Sequence, residues 1–144
     1  MPYTNGNVLK FTGISGNYST VITDIPGADK TLVFTFIACT DGDANNYPVV
    51  KIGTQTWMAE NLKYLPAVVG PGTVSSKTPY YYVYGYDGTV VATAKTTANY
   101  TSYGVLYNWP AAMAGSASST ANPSGVKGVC PTGWHLPSNA EWTE

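Results

Sequence analysis

The chain has 144 residues, 44% hydrophobic and only 10% charged, with seven lysines against eight carboxylates, no arginine and a formal net charge of -1. That length allows a real core. The absent arginines and neutral balance argue against nucleic-acid binding, and no apolar run is long enough to span a bilayer.

The pattern predicts three strands first, over 8–12, 20–23 and 31–37, rich in β-branched and aromatic residues with partial alternation. Gly13, Ser15, Gly16 and Asn17 punctuate the first gap, and Asp24, Pro26, Gly27 and Asp29 the second. A three-strand meander of this size has little core of its own. Residues 1–40 are therefore expected to anchor the chain or to oligomerise it, through residues 8–39, with copies of itself or an assembly partner.

Residues 41–46 form a turn and the expected domain boundary. Asp41, Asp43 and Asn45 occupy positions 1, 3 and 5 of a calcium loop, where alternate oxygens converge on one hard cation. Position 6 is Asn46 rather than glycine, and position 12 is Ile52 rather than glutamate. The alternative is an Asp/Asn-rich turn bonding its own backbone. Calcium is thus the one cofactor the sequence suggests.

A hairpin follows, 49–52 and 56–58 around Gly53-Thr54-Gln55. Residues 60–64 suit a helical turn ending before Pro66. Residues 66–79, rich in proline, glycine and hydroxyl residues, read as a surface loop. Residues 80–86 read as a strand, Asp87-Gly88 as a turn and 90–94 as the returning strand. Residues 104–109 read as another strand and 110–114 as a short helix with Pro110 at its first position. Residues 115–125 are a low-complexity loop.

On such a strand Tyr80, Tyr82, Tyr84 and Tyr86 would share one face, with Tyr81 opposite. An exposed row of this kind suits stacking on sugar rings or docking on protein; ordinary sheet packing is the alternative. Tyr100, Tyr103 and Tyr107 extend the cluster. Trp57, Trp109, Trp134 and Trp142 are expected in the core, where an indole buries the most area. Cys39 and Cys130 are either a disulfide or two buried thiols.

The last residues spell a helix start. Ser138 is an N-cap, Glu141 stands three positions on to complete a capping box, and Pro137 could staple on Trp142. The chain ends at Glu144 soon after the cap, so it reads as the front part of a longer protein. Glu60 and Glu141 are candidate buried carboxylates that fix loops. His135, the one histidine, is expected to be hydrogen-bonded near the helix start. No pair of carboxylates stands at a spacing diagnostic of acid–base work, and no phosphate-binding glycine loop appears.

Three segments carry a family resemblance. "YPVVKIGTQTWMAENL" at 47–62, "YGVLYNWPAAM" at 103–113 and "CPTGWHLPSNAEW" at 130–142 resemble, in order, the blocks of the Fibrobacter succinogenes major paralogous domain, an extracellular bacterial module. The resemblance covers about residues 41–144. It implies a β-rich α+β fold with an incomplete, C-terminally truncated C-type-lectin-like domain after the N-terminal meander. It also implies a non-catalytic binding or adhesion module on a cell or virion surface, recognising a glycan or a surface protein through loops 66–79, 84–89 and 115–126. The alternative is a structural protein of an assembly, such as a phage head or tail fibre or a surface filament, displaying that domain.

Overall fold

The computed structural model describes residues 3–144. It divides into two compact units that interleave in sequence. The first comprises Met1–Cys39 with Asn46–Glu60, described from residue 3 onward, and the second Thr40–Asn45 with Asn61–Glu144.

The first unit is a four-stranded mixed sheet in the order β1-β2-β3-β4. Strands β1 (Leu9–Ser15) and β2 (Tyr18–Asp24) form an antiparallel hairpin closed by Ser15 opposite Tyr18. Its two-residue turn has Gly16 at φ +58, the first position of a type II′ turn, where a side chain is disfavoured. β1 runs three residues past the expected 8–12 and alternates along its length: Leu9, Phe11 and Gly13 are half-buried, and Lys10, Thr12 and Ile14 are exposed. β2 runs parallel to β3 (Val49–Ile52), pairing Thr20 with Val49 and Val21 with Val50. A parallel pair needs a long crossover, and residues 25–48 supply it. β3 then turns into β4 (Gln55–Met58) as an antiparallel hairpin. Val21, Cys39, Tyr47 and Val49 are the buried apolar side chains of this unit.

The expected third strand at 31–37 does not form. The edge of β2 that it would occupy is taken by β3. The segment instead runs unladdered over the hairpin. The Thr20 hydroxyl donates to the Thr35 carbonyl at 2.6 Å, and the Phe34 ring lies against Gly13, where a Cβ would come within 2.5 Å of it.

The second unit has a two-stranded antiparallel ladder, β5 (Tyr81–Tyr82) with β6 (Leu106–Tyr107). Its short helices among the described residues are α1 (Val91–Lys95), α2 (Ala98–Tyr103), α3 (Trp109–Met113) and α4 (Asn139–Trp142). Leu65, Val68, Val83, Ala94, Tyr100 and Val105 make its core, with Tyr81, Tyr86, Val91 and Tyr107 packed around them.

The expected strand at 90–94 is thus a helix. Alanines at 92 and 94 favour helix over strand, and Ala94 is fully buried, so its smallness admits close packing. The strands expected at 80–86 and 104–109 shorten to two residues each, and 60–64 makes no helical turn. No helix among the described residues is long and apolar enough to cross a membrane. The architecture is β-rich with a few short helices.

Candidate functional site

The tyrosine run does not present one face. The backbone N–H of Tyr80 donates to Asn108 Oδ1 at 2.9 Å. Asn108 also caps α3 through Ala111 N–H, and its amide donates to the carbonyls of Ser75 and Thr78. One side chain therefore fixes the end of loop 66–79 against β5 and α3. Tyr81 meets Tyr107 edge to face at 5.7 Å, and burial raises the Tyr81 phenol above its ordinary value. The hydroxyl of Tyr82 donates to the Thr73 carbonyl at 2.7 Å, and that of Tyr86 to the Val90 carbonyl at 3.1 Å. Tyr80, Tyr82 and Tyr86 are half-buried. They serve packing and loop fixation.

Tyr84 differs. Val83 is buried before it, and the chain turns at 84–85, which swings Tyr84 outward. Its ring meets Tyr103 at a centroid distance of 5.9 Å and an interplanar angle of 83°. The two rings remain 64% and 54% exposed. Asn99 on α2 donates its amide to the Tyr84 carbonyl at 2.9 Å, tying the turn to the helix that carries Tyr103. Below them Tyr100 is buried, with its hydroxyl on the Lys63 carbonyl. The exposed part of the 80–107 tyrosine cluster is thus Tyr84 with Tyr103 at the end of α2. The signal for Tyr103 was the frame around it: Thr97 caps α2 by accepting the Tyr100 N–H, and Gly104 ends it.

The Asp41–Asn45 turn is knotted on itself. Asp41 Oδ1 accepts the backbone N–H groups of Asp43 and Asn45, and Oδ2 accepts the Asn45 amide. Asp43 Oδ2 accepts the Leu65 N–H at 2.8 Å and pairs with Lys95 Nζ at 2.8 Å. Burial works to raise the Asp43 pKa. The Leu65 N–H and Lys95 outweigh it, and the carboxyl lies below its ordinary value. Three of the side-chain oxygens a calcium ion would draw on, both of Asp41 and Oδ2 of Asp43, accept these hydrogen bonds.

Glu141 is the most constrained carboxylate. Oε2 accepts the buried N–H groups of Ser138 at 2.9 Å and Ser124 at 3.0 Å, and Oε1 lies 2.6 Å from His135 Nε2. An ionised carboxylate only accepts, so that ring nitrogen carries the proton. The Ser138 N–H first, then His135 and the Ser124 N–H, overcome burial and hold the Glu141 pKa at about 2. Ser138 Oγ accepts the Glu141 N–H, completing the capping box. Ser138→Ala should lower stability by about 1 kcal/mol. Chemical denaturation should show a lower midpoint with an unchanged slope.

Three expectations need correction, those for Trp109, Trp142 and Glu60. Trp109 and Trp142 are 67% and 68% exposed rather than core, while Trp57 and Trp134 are half-buried. In α4 the inward residue is Glu141. Its neighbour Trp142, about 100° further round the helix, therefore turns outward. Glu60 is exposed, so of that pair the buried carboxylate is Glu141. Cys39 and Cys130 are both thiols here, not bridged; burial pushes the Cys130 thiol up.

Residues 50–144 match the Fibrobacter succinogenes major domain family. The match takes in well over half of the chain, and the chain belongs to that family. No curated protein and no solved structure matches it.

Proposed function

We propose that this member of the Fibrobacter succinogenes major domain family is a non-catalytic extracellular adhesion module. On this reading its C-type-lectin-like scaffold binds a neutral glycan through Tyr84 and Tyr103. The observation that carries the reading is the exposed edge-to-face pair itself. A phenol ring offers a flat apolar face to the C–H face of a sugar and a hydroxyl to its rim, with few rotors to freeze. Asn99 ties the backbone of the Tyr84 turn to α2, which carries Tyr103, so less backbone has to be ordered when a ligand arrives. A surface with so few charges suits a neutral partner.

The titratable groups support a non-catalytic role. Glu141 at about 2 is far from the value a general acid or base needs near neutral pH, and Cys130 is pushed away from the reactive thiolate.

A glycan array probed with the labelled chain tests the proposal. Neutral oligosaccharides are expected to bind, with a signal that a chelator leaves unchanged. Binding confined to protein-bearing cell surfaces, and lost after protease treatment of those cells, would overturn the glycan assignment.

A further inference from the structure

β1 is an outer strand of its sheet, with β2 as its one ladder neighbour among the described residues. Ser15 and Tyr18 flank a two-residue turn, so they exchange backbone hydrogen bonds. Alternation then turns the N–H and C=O groups of Leu9, Phe11, Gly13 and Ser15 toward β2. Those of Lys10, Thr12 and Ile14 point to the open edge. All three of these residues are exposed, Ile14 to 75%. A seven-residue edge of this kind is a template for another strand. It lacks the usual protections: it holds no proline, no bulge interrupts its register with β2, and its one charge is Lys10.

We propose that β1 pairs antiparallel with the β1 of a second copy of this chain, across a twofold axis at Thr12. That register opposes Thr12 to the partner's Thr12, and Lys10 to the partner's Ile14. It forms about six interchain hydrogen bonds from the outward groups alone. It keeps the two lysines apart, whereas a register centred on Lys10 would oppose them. It also sets Phe11 opposite the partner's Gly13. There Gly13 brings no side chain to the seam, its face being covered within each chain by the Phe34 ring. The second outer strand, β4, has four residues. Joining β1 to β4 of another copy would be head-to-tail and need not close. The β1 pair is isologous and stops at two. The inference narrows the expected assembly role of residues 8–39 to one edge, and it does not depend on the Tyr84–Tyr103 reading.

Sedimentation velocity on the full chain over a concentration series tests it. The expected result is a reversible dimer at roughly tens of micromolar. Thr12→Pro removes only an outward N–H, which an edge strand tolerates. Ile14→Lys changes only an exposed side chain and sets a second lysine against the partner's Lys10. Both should weaken the dimer at least about tenfold. Ile14→Lys should leave the circular-dichroism melt unchanged, which keeps the test valid should the proline disturb the hairpin. A chain still monomeric at several hundred micromolar, a dimer indifferent to Ile14→Lys, or polymers that lengthen with concentration would each overturn the proposal.

Discussion

Replacing Glu141 by alanine is expected to destabilise the second unit by about 3 kcal/mol or more. The carboxylate is the acceptor for two buried N–H groups, those of Ser124 and Ser138. Leaving a buried donor unsatisfied costs about 1–3 kcal/mol each. The change also removes the His135 contact and half of the capping box. Ser138→Ala loses one longer bond and should be clearly milder. The effect carries a pH signature. The folded pKa of about 2 lies below the ordinary 4.5, so the unfolded chain takes up the proton first as pH falls. The stabilisation from this group is complete above about 4.5, and it disappears as pH falls to about 2. Denaturant midpoints of the parent and of Glu141→Ala should therefore differ most above pH 5 and converge toward pH 2. A gap that stays constant across this window would mean that Glu141 acts through packing and not through its charge.

Gly104→Ala is the second change with a large expected cost. Gly104 ends α2 at φ 69, ψ -143, a region nearly closed to residues with a Cβ, which costs on the order of 1–3 kcal/mol. The added methyl would also stand 2.6 Å from the Leu62 carbonyl oxygen and 3.1 Å from Asn61 Cβ. That carbonyl already accepts the Val105 N–H at 3.0 Å, so it cannot retreat without breaking a core contact. Strain and overpacking together should cost about 3 kcal/mol or more. Because α2 carries Tyr103, glycan binding should fall along with the melting temperature. An alanine variant that melts like the parent would show that the backbone around Gly104 yields to the added methyl.

What the sequence disclosed was mostly what short-range chemistry decides. The capping box needs four consecutive residues and was visible in Ser138 and Glu141. The hairpins at 9–24 and 49–58 combine alternation with glycine turns, and both form. Failures came where a distant partner decided the outcome. Residues 31–37 have strand composition, but β3 occupies the place beside β2. Residues 90–94 read as a returning strand after Asp87-Gly88, yet Ala94 packs as a helix into the core. Trp142 looked like core because it is large and apolar. Glu141 claims the inward face of α4, since two buried N–H groups need its carboxylate. The candidate site failed in the same way. An alternating tyrosine row implied one face, while a turn after Val83 separates Tyr84 from its neighbours. Its partner Tyr103 lies nineteen positions on, across α1 and most of α2, and no local pattern joins the two.

The measurement closest to the central claim pairs affinity with stability in two variants. The Tyr84→Ala/Tyr103→Ala double variant and Tyr81→Ala should be compared with the parent, by titration against the best array glycan and by a circular-dichroism melt. The account predicts that the double variant loses at least about 2 kcal/mol of binding, roughly thirtyfold, with its melt little changed. Tyr81→Ala, which removes a ring packed on the core, should lower the melt and with it the binding. Full affinity in the double variant would contradict the account, because the two most exposed rings of the cluster would then have no part in recognition.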